Sequence, residues 1–218
     1  MLVDDAPAEK AGARVRPESR VRLRGADRLF VSRGGEKLAG ALEDLGVDPR
    51  GKRCLDVGAS TGGFTDCLLR AGACEVVAVD VGYGQLAAAL RADPRVRVLE
   101  RTNARDLGAG QVGEGIELGV CDVSFISLRL VLPALVRAAP RADWLLLVKP
   151  QFEVGRDRVG KGGVVRDDAD RWAAVDAVRR EAEALGLVAA GVAESRLEGP
   201  AGNREIFLHL VPRAAGAP

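Results

Sequence analysis

A mostly parallel α/β sheet with helices on both faces is the fold this sequence predicts, and three observations predict it. From Lys52 onward, short apolar runs alternate with segments of helical periodicity, the pattern of strands buried on both faces. The first run, Cys54-Leu55-Asp56-Val57, passes straight into the turn Gly58-Ala59-Ser60-Thr61-Gly62-Gly63 and then into a helical pattern. The last two runs are separated only by Glu198-Gly199-Pro200-Ala201-Gly202-Asn203, which predicts an antiparallel hairpin at one edge.

Taken in order, residues 1–33 read as an appendage with eight basic and five acidic side chains. Val21-Arg22-Leu23-Arg24 alternates as a short strand would, and Asp5, Pro7, Gly12 and Pro17 punctuate turns. Leu38, Leu42 and Leu45 then recur at helical spacing over residues 36–45, with Gly46 as the stop. Strands are expected near 53–57, 75–80, 96–100, 117–122, 143–149, 187–194 and 204–211, seven in all. Helices are expected over 62–71, 83–92, 127–139 and 168–185, with Ser127 capping the third and Asp167 or Asp168 the fourth.

A chain of 218 residues, 47% apolar and 29% charged, can bury a sizeable core. Its net charge of +1 sets up no global field. Cys54, Cys67, Cys74 and Cys121 lack C-x-x-C spacing and His209 is the sole histidine, so no metal site is expected. Unpaired, partly apolar cysteines and the lack of a signal-like or membrane-spanning run suit a reducing cytoplasm and no membrane partner.

In such a sheet, ligands bind beyond the carboxyl ends of the strands. Asp80 ends the second strand about 20 residues beyond the glycine turn, where a carboxylate accepts from ribose hydroxyls. Asn103 and Asp106 follow the third strand, placed to read an adenine edge. The spacing Gly58-x-x-x-Gly62-Gly63 departs from the G-x-G-x-x-G dinucleotide fingerprint, which counts against an NAD-dependent dehydrogenase. Asp56, just before the turn, would repel a pyrophosphate and suits an amine or sulfonium. S-adenosylmethionine is therefore the expected ligand, held by Asp56, Gly58, Ala59, Ser60, Thr61, Gly62, Gly63, Phe64, Asp80, Val81, Asn103 and Asp106.

Three more polar residues sit at strand ends. Asp122 follows Leu118-Gly119-Val120-Cys121, Lys149 follows Leu145-Leu146-Leu147-Val148, and Glu205 opens the last strand. A lysine at the end of a buried run is costly unless paired or functional. Taken singly, each is as well explained by a structural ion pair as by catalysis. Phe152, Trp144 and Trp172 read as core residues, and His209, between Leu208 and Leu210, as a strand residue.

With Lys37 in Ser32-Arg33-Gly34-Gly35-Glu36-Lys37-Leu38, these residues make a recognisable set. The sequence resembles the TlyA family, a branch of the FtsJ-like ribose 2′-O-methyltransferases. The likeness lies in Val31 to Gly35, the whole first strand and turn, Asp80-Val81-Gly82-Tyr83-Gly84-Gln85-Leu86 and Arg101-Thr102-Asn103-Ala104-Arg105-Asp106. It continues through Asp122-Val123-Ser124-Phe125-Ile126-Ser127-Leu128, Val148-Lys149-Pro150-Gln151-Phe152-Glu153, Gly160 to Asp167 and Gly202-Asn203-Arg204-Glu205.

The resemblance implies a Rossmann-like class I S-adenosylmethionine-dependent methyltransferase over residues 31–213, followed by a tail at 214–218. It implies a Lys-Asp-Lys-Glu tetrad at Lys37, Asp122, Lys149 and Glu205, with Lys149 as the base that takes the ribose proton. Ribosomal RNA or ribosomal subunits would be the partner, and a cytidine 2′-hydroxyl the acceptor. Family members begin with an S4-type RNA-binding domain; residues 1–30 correspond to its second half and a linker, so the helices that would carry RNA contacts are not expected here. That leaves a non-catalytic RNA-binding or ribosome-assembly factor as the alternative, with haemolysin-like activity, which the family name suggests, behind it. Arg33 and the glycine-rich loop bearing Arg156, Arg158, Lys161 and Arg166 are expected to contact phosphates, the loop as a mobile cationic lid.

Overall fold

The computed structural model describes residues 2–4, 6–7, 14–22 and 29–214. Near the amino terminus, β1 (Leu2–Val3), β2 (Ala6–Pro7) and β3 (Val21–Arg22) form a small antiparallel sheet in the order β2-β1-β3. Residues 23–24, expected to extend β3, lie outside the described residues.

The main sheet has the seven expected strands: β4 (Arg53–Val57), β5 (Glu75–Val79), β6 (Val96–Leu99), β7 (Leu118–Cys121), β8 (Asp143–Val148), β9 (Leu187–Glu194) and β10 (Ile206–Pro212). Their order is β6-β5-β4-β7-β8-β10-β9. All neighbours from β6 to β8 are parallel, while β10 runs antiparallel to both β8 and β9. After β4 the chain winds outward to β6 and then returns to β7 on the other side. The switch point, where an α/β sheet opens a crevice for a ligand, thus lies between β4 and β7.

Helices cover both faces. Leu38, Ala41 and Leu42 of α1 (Arg33–Asp44), Leu68 of α2 (Gly63–Arg70) and Leu90 of α3 (Ala88–Arg91) pack with Cys54, Val76 and Val120 on one face. Val112 of α4 (Ala109–Val112), Leu132 of α5 (Leu128–Ala138) and Val178 of α7 (Asp168–Ala184) pack with Leu55, Val77 and Leu146 on the other. Ser127 and Asp167 cap α5 and α7, accepting from Arg129 N at 3.2 Å and Ala169 N at 2.7 Å.

Three expectations change. The helix expected over 83–92 is only α3, because Gly84 adopts φ +70° and the chain turns before Ala88. Two further one-turn helices appear: α4, between β6 and β7, and α6 (Pro150–Glu153), directly after β8. Of the three aromatics expected in the core, Trp144 is fully buried, but Trp172 is 43% exposed and Phe152 lines a cavity against Phe125, with ring centroids 5.4 Å apart.

Candidate active site

Two cavities adjoin at the carboxyl ends of the parallel strands. The first, of about 450 Å³, lies over β4, β5 and β7 and is lined by Gly58, Ser60, Asp80, Val81, Asn103 and the segment Asp122 to Ile126, among others. Gly58 is held at φ +89°, and a Cβ there would overlap the Asp122 carbonyl oxygen. Only glycine lets the two strand ends come this close. Their closeness is fixed by Asp122 N, which donates to Val57 O at 2.9 Å.

Asp80 organises this cavity. Its Oδ2 accepts from Ser60 N and its Oδ1 from Gly82 N, each at 2.7 Å. The carboxylate thereby ties the glycine turn to the end of β5 and keeps unused lone pairs for a ligand. Ser60, at φ +49°, and Phe125, at φ +64°, are non-glycine residues in the left-handed region, and both line this cavity. Such conformations persist where surrounding contacts hold them, often at functional sites.

Not all expected ligand contacts are met. Asp56 is fully buried and lines neither cavity. Strand alternation puts it on the face of Cys54, beneath α2, where Thr65 Oγ1 donates to its Oδ2 at 2.6 Å and its Oδ1 has no hydrogen-bond partner. Burial pushes its carboxyl up to about 7, and the nearby charges of Asp122 and Asp80 act in the same direction. Asp106 is exposed and outside the lining, which includes Thr102 and Ala104 instead. Gly62 also lies outside it, serving as the N-cap of α2.

The second cavity, of about 380 Å³, holds Lys37, Asp122, Lys149 and Glu205 together with Arg33, Ala59, Thr61, Gly63 and Phe64. It shares Gly58, Ser60, Asp122 and Ser124 with the first. The four charges form two pairs. Lys37, one-third of the way along α1, donates to Glu205 Oε2, and both residues are buried. Lys149 Nζ lies 2.6 Å from Asp122 Oδ1 and donates to Ser124 Oγ at 2.7 Å. Ser124 escaped the sequence reading, although it sits two residues after Asp122.

A third cavity, of about 370 Å³, opens beyond Lys149 and Glu205 and is floored by Phe152, Gly162, Gly163 and Pro200. The loop above it is tied down over residues 160–165. Asn203, buried, accepts from Val165 N at 2.9 Å and donates to Gly163 O at 2.8 Å, and Gly160 bridges Val164. Arg156, Arg158, Lys161 and Arg166 are exposed on that loop; Arg158 pairs with Asp170 at 3.1 Å. Arg33 donates to Glu198 O at 3.0 Å. A further hollow, of about 740 Å³, is at the opposite end of the strands, between Lys52, Glu114, Glu117, Arg141 and Asp143. It brings together none of the expected residues.

An adenosine-bearing sulfonium ligand fits the first cavity. Asp80 has lone pairs suited to a ribose diol, Val81, Val123 and Ile126 offer apolar surface suited to a base, and Gly58 leaves room along the backbone.

Comparison with known proteins agrees with this geometry. A family model described as FtsJ-like methyltransferase matches residues 30–211. The 16S/23S rRNA (cytidine-2′-O)-methyltransferase TlyA of Mycobacterium tuberculosis is 54% identical over 95% of this chain and 78% of its own length. The 23S rRNA (cytidine-2′-O)-methyltransferase TlyA of Campylobacter jejuni is 38% identical over 84% and 71%. A solved chain from Streptococcus thermophilus, named as a candidate hemolysin, superposes with a TM-score of 0.85 at 39% identity, covering 97% of this chain and 76% of that one.

Proposed function

The chain belongs to the FtsJ-like methyltransferase family, with S-adenosylmethionine as its cofactor, and from that membership we propose that it methylates a cytidine ribose 2′-hydroxyl of ribosomal RNA. The observation that carries this reading is the meeting of two lysine–carboxylate pairs in one cavity that opens onto the cofactor cavity. The acceptor follows the names of the relatives from Mycobacterium tuberculosis and Campylobacter jejuni.

When bound, S-adenosylmethionine supplies a methyl carbon made electrophilic by its sulfonium. Asp80, Asn103 and Ser60 would hold the adenosine, and Gly58, Ala59, Thr61, Gly63 and Phe64 the remainder. A ribose hydroxyl is a poor nucleophile until its proton has somewhere to go. Lys149, as the neutral amine, would take that proton as the hydroxyl oxygen becomes a nucleophile. Asp122 faces the ammonium so formed. The Lys37 ammonium, held by Glu205, meets the negative charge gathering on the oxygen, where a preorganised donor is most effective. Alignment of hydroxyl and methyl supplies much of the rest, on the order of 7–11 kcal/mol in well-ordered systems. Arg33, Arg156, Arg158, Lys161 and Arg166 would grip phosphates and so position the RNA without reading its sequence. Among the described residues, no helix is long and apolar enough to cross a membrane.

Transfer of labelled methyl groups to ribosomal subunits, followed by mapping of the modified ribose, tests the reading. Lys149→Ala should lower kcat by roughly 10²–10⁴-fold, the usual worth of a general base, with affinity for S-adenosylmethionine unchanged. Undiminished transfer by that variant would remove Lys149 from the role of base.

A further inference from the structure

We propose that Ser124 is a positioning residue that aims the Lys149 amine at the acceptor hydroxyl. The inference rests on the 2′-O-methyl transfer proposed above. A neutral primary amine has two N–H bonds and one lone pair, and it rotates freely at the end of a four-carbon stem. It works as a base only while the lone pair faces the proton, so something must hold its hydrogens elsewhere.

Asp122 alone does not do so. Its Oδ1 lies 2.6 Å from Lys149 Nζ, yet that oxygen is buried and takes no aligned hydrogen bond. Attraction between the charges sets the distance but not the direction. Among the described residues, the one aligned hydrogen bond of Lys149 Nζ goes to Ser124 Oγ, at 2.7 Å.

Ser124 also stands where a positioning group has to stand. It is the one described residue that lines the cofactor cavity, the tetrad cavity and the third cavity alike. The amine it holds is therefore presented where donor and acceptor meet.

The serine itself is fixed at both ends of its segment. Upstream, Asp122 N is bonded to Val57 O at 2.9 Å. Downstream, buried Glu153 accepts from Ser127 Oγ at 2.5 Å and from Leu128 N at 2.7 Å. Glu153 lies on α6, four residues after Lys149. The serine segment is thus held to β4 upstream of the Ser124–Lys149 bond and to the lysine segment downstream of it.

The test compares the unaltered chain with Ser124→Ala and Ser124→Thr in methyl transfer to ribosomal subunits. It measures kcat, KM, S-adenosylmethionine affinity and melting temperature. Ser124→Ala should lower kcat roughly 10- to 100-fold, the scale set by a misaimed reacting group, with cofactor affinity and melting temperature unchanged. Ser124→Thr, which keeps the hydroxyl, should recover to within a few-fold of wild type. An alanine variant within twofold of the wild-type kcat, or a threonine variant as slow as the alanine, overturns the positioning role while leaving the proposed reaction standing. So does a loss confined to cofactor affinity. A wild-type chain that is inert on ribosomal subunits while still binding S-adenosylmethionine overturns both.

Discussion

The ammonium of Lys37 on α1 is bonded to the carboxylate of Glu205, 168 residues further along the chain, and both are buried. Removing one partner of such a pair strands a charge out of reach of water, which costs about 3–5 kcal/mol. Glu205→Ala should therefore lower unfolding free energy by about that amount and abolish transfer. The double variant Lys37→Met/Glu205→Leu should regain most of the stability, since a packed apolar pair is often neutral or better, but none of the activity. Denaturant unfolding checks the first outcome and methyl transfer the second. A double variant as unstable as Glu205→Ala would show that the pair is not the source of the loss.

Asp80 presents its carboxylate to the first cavity while binding two backbone N–H groups. Asp80→Ala should raise the Kd for S-adenosylmethionine by about tenfold or more, since hydrogen bonds to charged groups contribute about 1.5–3 kcal/mol each. Asp80→Asn, which retains one acceptor oxygen, should fall between. Isothermal titration gives both values, and an unchanged Kd for the alanine variant would place the adenosine elsewhere.

Asp56 makes stability depend on pH. Its carboxyl is raised in the folded protein from an ordinary 3.8 to about 7. Between these values the folded state holds a proton that the unfolded chain has released, so stability falls as pH rises through this window. At pH 8 the loss is complete, on the order of a few kcal/mol. Asp56→Asn should remove this contribution, becoming more stable relative to wild type at pH 8 than at pH 4. Urea unfolding across the range measures the difference between the two proteins. A difference that does not vary with pH would show that folding does not raise the Asp56 carboxyl.

Much of this was legible in the residues. Each strand end that was expected to carry a polar group does so, because apolar runs buried on both faces leave little doubt where a strand stops. The pairing was not legible: nothing in the sequence couples Lys37 to Glu205 and Lys149 to Asp122 rather than the reverse. That choice depends on how far apart β7, β8 and β10 set their ends. Nor was the burial of Asp56, since every residue of β4 after Arg53 is buried and alternation then marks no outer face. Thr65, in the first turn of the next helix, was the available sign of what Asp56 meets. The shortened α3 and the one-turn α6 were missed because helices of a single turn carry no periodicity.

β10 runs against its neighbours, so it begins at the edge where they end, and Glu205 reaches that edge from just ahead of its strand. This fixes when the site can exist during synthesis. α1 can settle on α2 early, but the Lys37 ammonium waits for its partner until Glu205, 168 residues later, has been made.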